Sequence, residues 1–278
     1  MRAKRLAFYA VLVSAASIAA PALAVPMLQA HRAVYDLSLD KATDRSGITG
    51  ITGRMVYEFN GSPCDGYTVN FRFVTQIATN DTTRLSDQQT TTYEDAKGKT
   101  FSFVTKSFID QQLDKEVKGT AVKKGNGVEV DLDKPQKNVV QLAATQFPTQ
   151  HLVELIGKAE KGERFYETNL FDGSEDANKV MTTTVVVGKK TEAEKGDPEL
   201  PALAKLAKDE YWPVDIAYFD LSDKASGEEV PEYRISFKLH ENGLTRDLVM
   251  DYGDFSMTGK LVNLALFDNA PKKACNNK

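Results

Sequence analysis

Apolar and polar residues alternate with a period of two along most of this chain. Ala33, Tyr35, Leu37 and Leu39 fall on one side, and Arg32, Asp36, Ser38 and Asp40 fall on the other. In an extended backbone that spacing gives one apolar face and one polar face. Met55, Tyr57 and Phe59 alternate in the same way with Val56, Glu58 and Asn60, and Tyr67, Val69, Phe71 and Phe73 with Thr68, Asn70 and Arg72. The turn-forming run Pro63-Cys64-Asp65-Gly66 separates these two segments, so they predict a β-hairpin. Segments 90–93, 101–108, 116–123 and 128–132 continue the pattern, with short polar separators that favour sequential antiparallel pairing. In the second half, 165–171, 180–187, 215–220, 233–240 and 245–252 read as strands, with weaker candidates at 255–259 and 261–266. A count of roughly 12 to 14 strands exceeds what one flat open sheet holds without curling, closing or splitting. The pattern therefore predicts a mainly β protein built on a large, strongly curved antiparallel sheet, spiral or barrel-like.

Two segments break the period. Residues 149–161 place Leu152, Leu155, Ile156 and Ala159 at helical spacing, with Pro148 suited to the first turn and Gly162 to the stop. Residues 201–209 place Leu203, Leu206 and Ala207 on one side of a second short helix. The run 189–198 reads as a solvated charged loop. No Pro/Ser/Gly-rich linker or internal repeat divides the chain, and residues 25–278 are expected to form one β-rich domain.

The first 24 residues stand apart. Arg2, Lys4 and Arg5 precede an apolar run, and Ala22-Leu23-Ala24 fits the small-x-small pattern cut by signal peptidase. About 15 apolar residues fall short of the ~20 that span a bilayer as a helix. Residues 1–24 are thus expected to be a signal peptide, cleaved after Ala24, with export to a periplasm. The whole chain has 35 Lys plus Arg against 39 Asp plus Glu, a formal charge of −4. Losing the basic leader makes it more acidic, and an evenly mixed acidic chain offers no electrostatic footprint for nucleic acid.

Export changes the reading of Cys64 and Cys275, the two cysteines of the chain. An even number in an oxidising compartment suggests a bridge, with two buried thiols as the alternative. A bridge would pin the polar tail around Cys275 onto the turn around Cys64, and by the chain-entropy argument would contribute ~5 kcal/mol.

Candidate chemistry fails on context. His31, His151 and His240 form no metal-ligand spacing, so no metal site or cofactor is expected. His240 alternates with Lys238, Ser236 and Arg234, which places it on a polar surface face; His151 sits in the first helical turn without a nucleophile nearby. Ser38 and Lys41 match Ser-x-x-Lys, but on a strand they point to opposite faces. Gly98-Lys99-Thr100 ends like a phosphate loop, yet Tyr93 stands where its first glycine belongs. Residues 172–178 carry calcium-like oxygen spacing, but Ala177 replaces the turning glycine and Thr183 the closing glutamate, so a hairpin connection is expected instead. The aromatic residues Tyr57, Phe59, Tyr67, Phe71, Phe73, Phe101, Phe103 and Phe108 are core candidates, and a curved sheet can also leave an apolar trough among them.

Four motifs occur in order: His31-Arg32-Ala33-Val34-Tyr35-Asp36-Leu37-Ser38-Leu39, Met55-Val56-Tyr57-Glu58-Phe59, Cys64-Asp65-Gly66-Tyr67 and Leu170-Phe171-Asp172-Gly173-Ser174. With the two cysteines, they make the chain resemble the EipB family of alphaproteobacterial periplasmic proteins over essentially its whole mature length. The resemblance implies a spiral-like antiparallel sheet, a Cys64–Cys275 disulfide by position and a role in cell-envelope integrity. It supplies no catalytic motif. The leading expectation is a non-enzymatic periplasmic protein that binds a protein partner or an envelope component. Carriage of a lipid or lipoprotein in the trough is the alternative, and a hydrolase with a cryptic carboxylate pair is the third.

Overall fold

The computed structural model describes residues 27–174, 176–220 and 230–268. The first half is a meander of eight strands: β1 (His31–Ala42), β2 (Ile48–Ser62), β3 (Gly66–Thr79), β4 (Thr83–Glu94), β5 (Thr100–Ile109), β6 (Gln112–Lys124), β7 (Gly127–Lys134) and β8 (Asn138–Ala143). Helix α1 (Pro148–Glu160) follows, then β9 (Phe165–Leu170), β10 (Met181–Val187), the single-turn α2 (Leu200–Leu203), β11 (Tyr211–Phe219), β12 (Tyr233–His240), β13 (Thr245–Asp251) and β14 (Phe255–Leu266). All fourteen strands form one antiparallel sheet, ordered β8-β7-β6-β5-β4-β3-β2-β1-β14-β13-β12-β11-β10-β9. Two meanders are thus joined through the long-range β1–β14 pair, where His31 lies opposite Leu266 and Ala42 opposite Phe255.

The sheet curls until distant strands share a core. Phe59 and Tyr67, from β2 and β3, belong to the same buried cluster as Val185, Trp212 and Leu239 from β10 to β12, with Leu155, Ile156 and Ala159 of α1 between them. A second cluster packs Tyr35, Met55, Leu248 and Met257 under Leu203 of α2. A third joins Phe101, Phe103 and Val130 of β5 and β7 to Phe147 and Phe171. The sheet does not close: β8 and β9, its two ends, are not laddered to each other. Instead the segment after β8 runs beside β9, where Gln146 N–H donates to Asn169 O (2.9 Å) and Phe171 N–H to Gln146 O (2.9 Å).

Several boundaries differ from the sequence pattern. β4 is much longer than 90–93, because Gln88, Thr90 and Thr92 face the same side as Phe73, Phe71 and Val69 and hide the alternation. β8 hides its period because the adjacent Val139 and Val140 put apolar residues on both faces. The weak candidates 255–259 and 261–266 are one strand: Val34 pairs with Asn263 and Tyr35 with Leu261, so Val262 is a bulge that interrupts the period. The second helix shrinks to one α turn and a 3₁₀ turn at Ala204–Leu206.

Helix α1 is capped from outside its own sequence. Phe147, its N-cap, offers no side-chain acceptor. Glu94, at the end of β4, accepts N–H bonds from Thr149 (2.7 Å) and Gln150 (3.1 Å), satisfying two of the free amides of the first turn. The carboxylate is 3% exposed, and its burial raises its pKa against the lowering effect of those amides. Replacing Glu94 with Ala should lower stability by about 2–3 kcal/mol, read as a shift of the urea midpoint at unchanged slope. An unchanged midpoint would show that solvent caps the helix equally well.

Candidate functional site

The curled sheet is not completely filled. A cavity of about 610 Å³ lies between β1–β3 on one side and β10–β13 on the other. Its floor is set by alternation on the inner face: Tyr35 on β1, Met55 and Tyr57 on β2, Phe71 and Phe73 on β3, Ile235 and Phe237 on β12, Leu248 and Met250 on β13. Tyr218, Tyr233 and Tyr252 form a continuous wall, with ring centroids 5.4 Å and 4.9 Å apart. Asp172, Ser174 and Glu232, all exposed, stand at the rim. The Tyr35 hydroxyl donates to Thr245 O (2.6 Å) and is thereby satisfied within the floor. Burial pushes the phenols of Tyr35, Tyr57, Tyr218 and Tyr233 up, keeping them neutral. A volume of this size, lined mainly by aromatic and aliphatic groups with a few polar atoms at one end, suits an amphipathic ligand.

A buried ionic cluster holds α2 beneath the cavity. Pairing between β13 and β14 ends at Leu248 opposite Gly259. Beyond that point Glu199 bridges the splayed strands, accepting N–H bonds from Asp247 (3.0 Å) and Leu261 (2.6 Å). Asp247 sits at φ 53° in the β13 bulge, which turns its amide out of the ladder. Arg246, fully buried, donates to Glu199 (2.8 Å), Asp197 (2.7 Å) and His240 Nε2 (3.1 Å), and lies over the Tyr211 ring. Burial alone would raise the Asp197 carboxyl, but the Glu199 amide, Arg246 and Lys238 hold it down to about 2. This arrangement corrects two sequence expectations. His240 is 1% exposed rather than a surface residue, and Asp197 is buried rather than part of a solvated loop. The polar face of β12 at this end is covered by the 189–210 segment, and strand periodicity carries no sign of such a cover.

Other sequence candidates resolve into structural roles. Ser38 Oγ bonds Thr258 Oγ1 (2.9 Å) on the outer face. In the Gly98-Lys99-Thr100 turn, Asp95 Oδ1 accepts the Lys99 and Thr100 amides (2.8 Å for the latter), occupying the place a phosphate would need. The connection after β9 joins a β9–β10 hairpin as expected, but it tucks inward, with Phe171 against Phe103 at 5.8 Å and Ala177 buried. Asp172 Oδ1 there accepts the Ser174 N–H (2.9 Å). No group of three or more His, Cys, Asp or Glu able to hold a metal exists among the described residues. Of the eight aromatic candidates, Tyr57, Phe71 and Phe73 line the cavity, Phe59 and Tyr67 stack beside α1, Phe101 and Phe103 fill the third cluster, and Phe108, expected in the core, is only half-buried. Tyr218, Tyr233 and Tyr252 escaped the sequence reading, although the inward parity of β12 marks Tyr233. Cys64 lies in the exposed turn between β2 and β3; Cys275 and the cleavage site at Ala24 lie outside the described residues.

All three histidines are buried: His31 (2% exposed), His151 (6%) and His240 (1%). Burial lowers all three, to about 4 for His151 and, with Arg246 adding to the effect, to about 4 for His240. A depressed histidine pKa means that the unfolded chain binds the proton more readily. Stability is therefore full above pH ~6.5 and falls as pH drops towards 4, by up to about 3 kcal/mol for each fully shifted histidine. Urea denaturation at pH 7, 6, 5 and 4 should show that loss, and His240→Gln should flatten it. An identical pH slope in the variant would show that His240 takes up its proton while folded.

The comparisons agree with this architecture. A family model described as EipB-like matches residues 22–268. The cell envelope integrity protein EipB of Brucella abortus (strain 2308) is 56% identical over 256 residues, covering 92% of this chain and 90% of the relative. The crystal structure of a beta-barrel-like protein of domain of unknown function DUF1849 from Brucella abortus superposes with a TM-score of 0.84 at 56% identity, covering 87% of this chain and 99% of that one.

Proposed function

The chain belongs to the EipB-like family, and from that membership we propose that it supports cell-envelope integrity as a non-enzymatic periplasmic binding protein whose inner cavity holds the apolar part of an envelope lipid or lipoprotein. One observation carries the cavity reading: the inner face stays partly unfilled where Tyr57, Phe73, Phe237 and Met250 converge, although α1 and α2 fill the space on either side. The residues that resembled catalytic motifs are engaged in structural hydrogen bonds, which supports a binding role over turnover. Residues 1–24 serve as the export signal in this reading, and export is what places the chain beside such ligands.

A second reading rests on the free end of the sheet. β8 is a terminal strand of uncharged residues with Val139 exposed, and an extended partner segment could add to it by main-chain hydrogen bonds. Native mass spectrometry of the mature protein, released gently from a periplasm, separates the two. Carriage predicts an added mass that organic solvent strips as lipid, abolished in Phe73→Asp and retained in Val139→Lys. A clean protein mass in wild type together with envelope failure only in Val139→Lys would transfer the function to the edge.

The Cys64–Cys275 bridge belongs to the same proposal, since it would tie the tail to the β2–β3 turn. Cys64→Ser and Cys275→Ser should each lower the melting temperature by the same amount, and the double variant should lose no more than either single one. Additive losses would show that the two residues are not paired.

A further inference from the structure

Resting on the cavity reading above, we propose that the mouth of this cavity selects amphiphiles by headgroup charge, and that its ligand is a lipid bearing an ammonium head. Among the described residues, the lining contains no Lys, Arg or His, and the charged side chains there, Asp172 and Glu232, are both carboxylates. Lys179, just outside, bridges Asp220 (3.0 Å) and Glu232 (3.1 Å), so its charge is already engaged by carboxylates of the rim. Asp172 has its Oδ1 on the Ser174 amide, which fixes the carboxylate at the rim without neutralising its charge.

The aromatic wall adds a second, independent preference. Tyr218, Tyr233 and Tyr252 run from the interior to the mouth, where Tyr252 is 40% exposed. The electron-rich faces of tyrosine rings attract cations, and quaternary ammonium groups most effectively because they shed water easily. An anionic head, such as a carboxylate or a phosphate monoester, would meet the Asp172 and Glu232 carboxylates, and the nearby Lys179 is already engaged by Asp220 and Glu232. The floor below, built from Met55, Phe71, Phe73 and Leu248, accepts an alkyl chain of either kind of lipid. Discrimination therefore resides at the mouth and affinity in the floor.

The test uses the full mature chain and three surfactants of equal tail length, each below its micelle concentration: decyltrimethylammonium, decanoate and decyl maltoside. Titration calorimetry at low salt should give the ammonium probe a Kd at least about tenfold below that of decanoate, with decyl maltoside between them. Asp172→Asn keeps an oxygen for the Ser174 amide, so it should fold normally, bind decyl maltoside as wild type does and lose most of the ammonium preference. Tyr252→Leu should reduce the same ratio through the aromatic part alone. Exposure to mixed vesicles of phosphatidylcholine and phosphatidylglycerol, followed by native mass spectrometry, should then leave only the choline lipid bound. Equal or tighter binding of decanoate, with decyl maltoside still bound, overturns the headgroup inference and leaves the cavity reading intact. Failure of all three surfactants to bind overturns both.

Discussion

Fourteen strands share one apolar face, and that face must be covered. Among the described residues no second sheet lies against it and the helices are short, so the sheet covers itself by curling. The β1–β14 pair makes this possible, because it joins two meanders that would each leave an exposed apolar side. Everything else in the molecule is arranged around the consequences of that curl: α1 fills one end of the interior, α2 enters beside β13 and β14, and the 171–180 connection packs Phe171 against Phe103.

Curling also creates polar problems that specific side chains solve. A splayed pair of strands leaves backbone amides without ladder partners, and a buried amide without an acceptor is costly. Glu199 accepts the amides of Asp247 and Leu261, but a buried carboxylate in turn requires a cation. Arg246 supplies it, and Asp197 and His240 complete its surroundings. Glu94 plays a comparable part at α1, joining the far end of β4 to a helix more than fifty residues later. The helices are thereby fixed to the sheet by charge as well as by packing, and the space they leave unfilled is the cavity.

The cavity and the open sheet end are the two features on which the proposed binding modes rest. They are physically distinct. As proposed, the first would exclude water from an alkyl chain, with selectivity from the carboxylates and tyrosines at the mouth. The second uses backbone groups along β8 and would be largely indifferent to headgroup chemistry. The relative from Brucella abortus is named for cell envelope integrity.

Sequence by itself determined the class of the fold. Alternation at Ala33, Tyr35 and Leu37 or at Tyr67, Val69 and Phe71 depends only on the two-residue repeat of an extended chain, and short polar separators leave antiparallel neighbours as the natural pairing. It also determined α1, whose apolar spacing and leading proline are local signals. What tertiary structure decided is everything that depends on contact between distant segments. The β1–β14 register, the burial of His240 and Asp197, and the capping of α1 by Glu94 each involve a partner tens to hundreds of residues away, and local periodicity is blind to such partners. The cavity belongs to the same category: Tyr57 and Phe101 both point inward from their strands, yet one borders the cavity and the other lies in a packed core, because curvature sets how near the opposite wall comes.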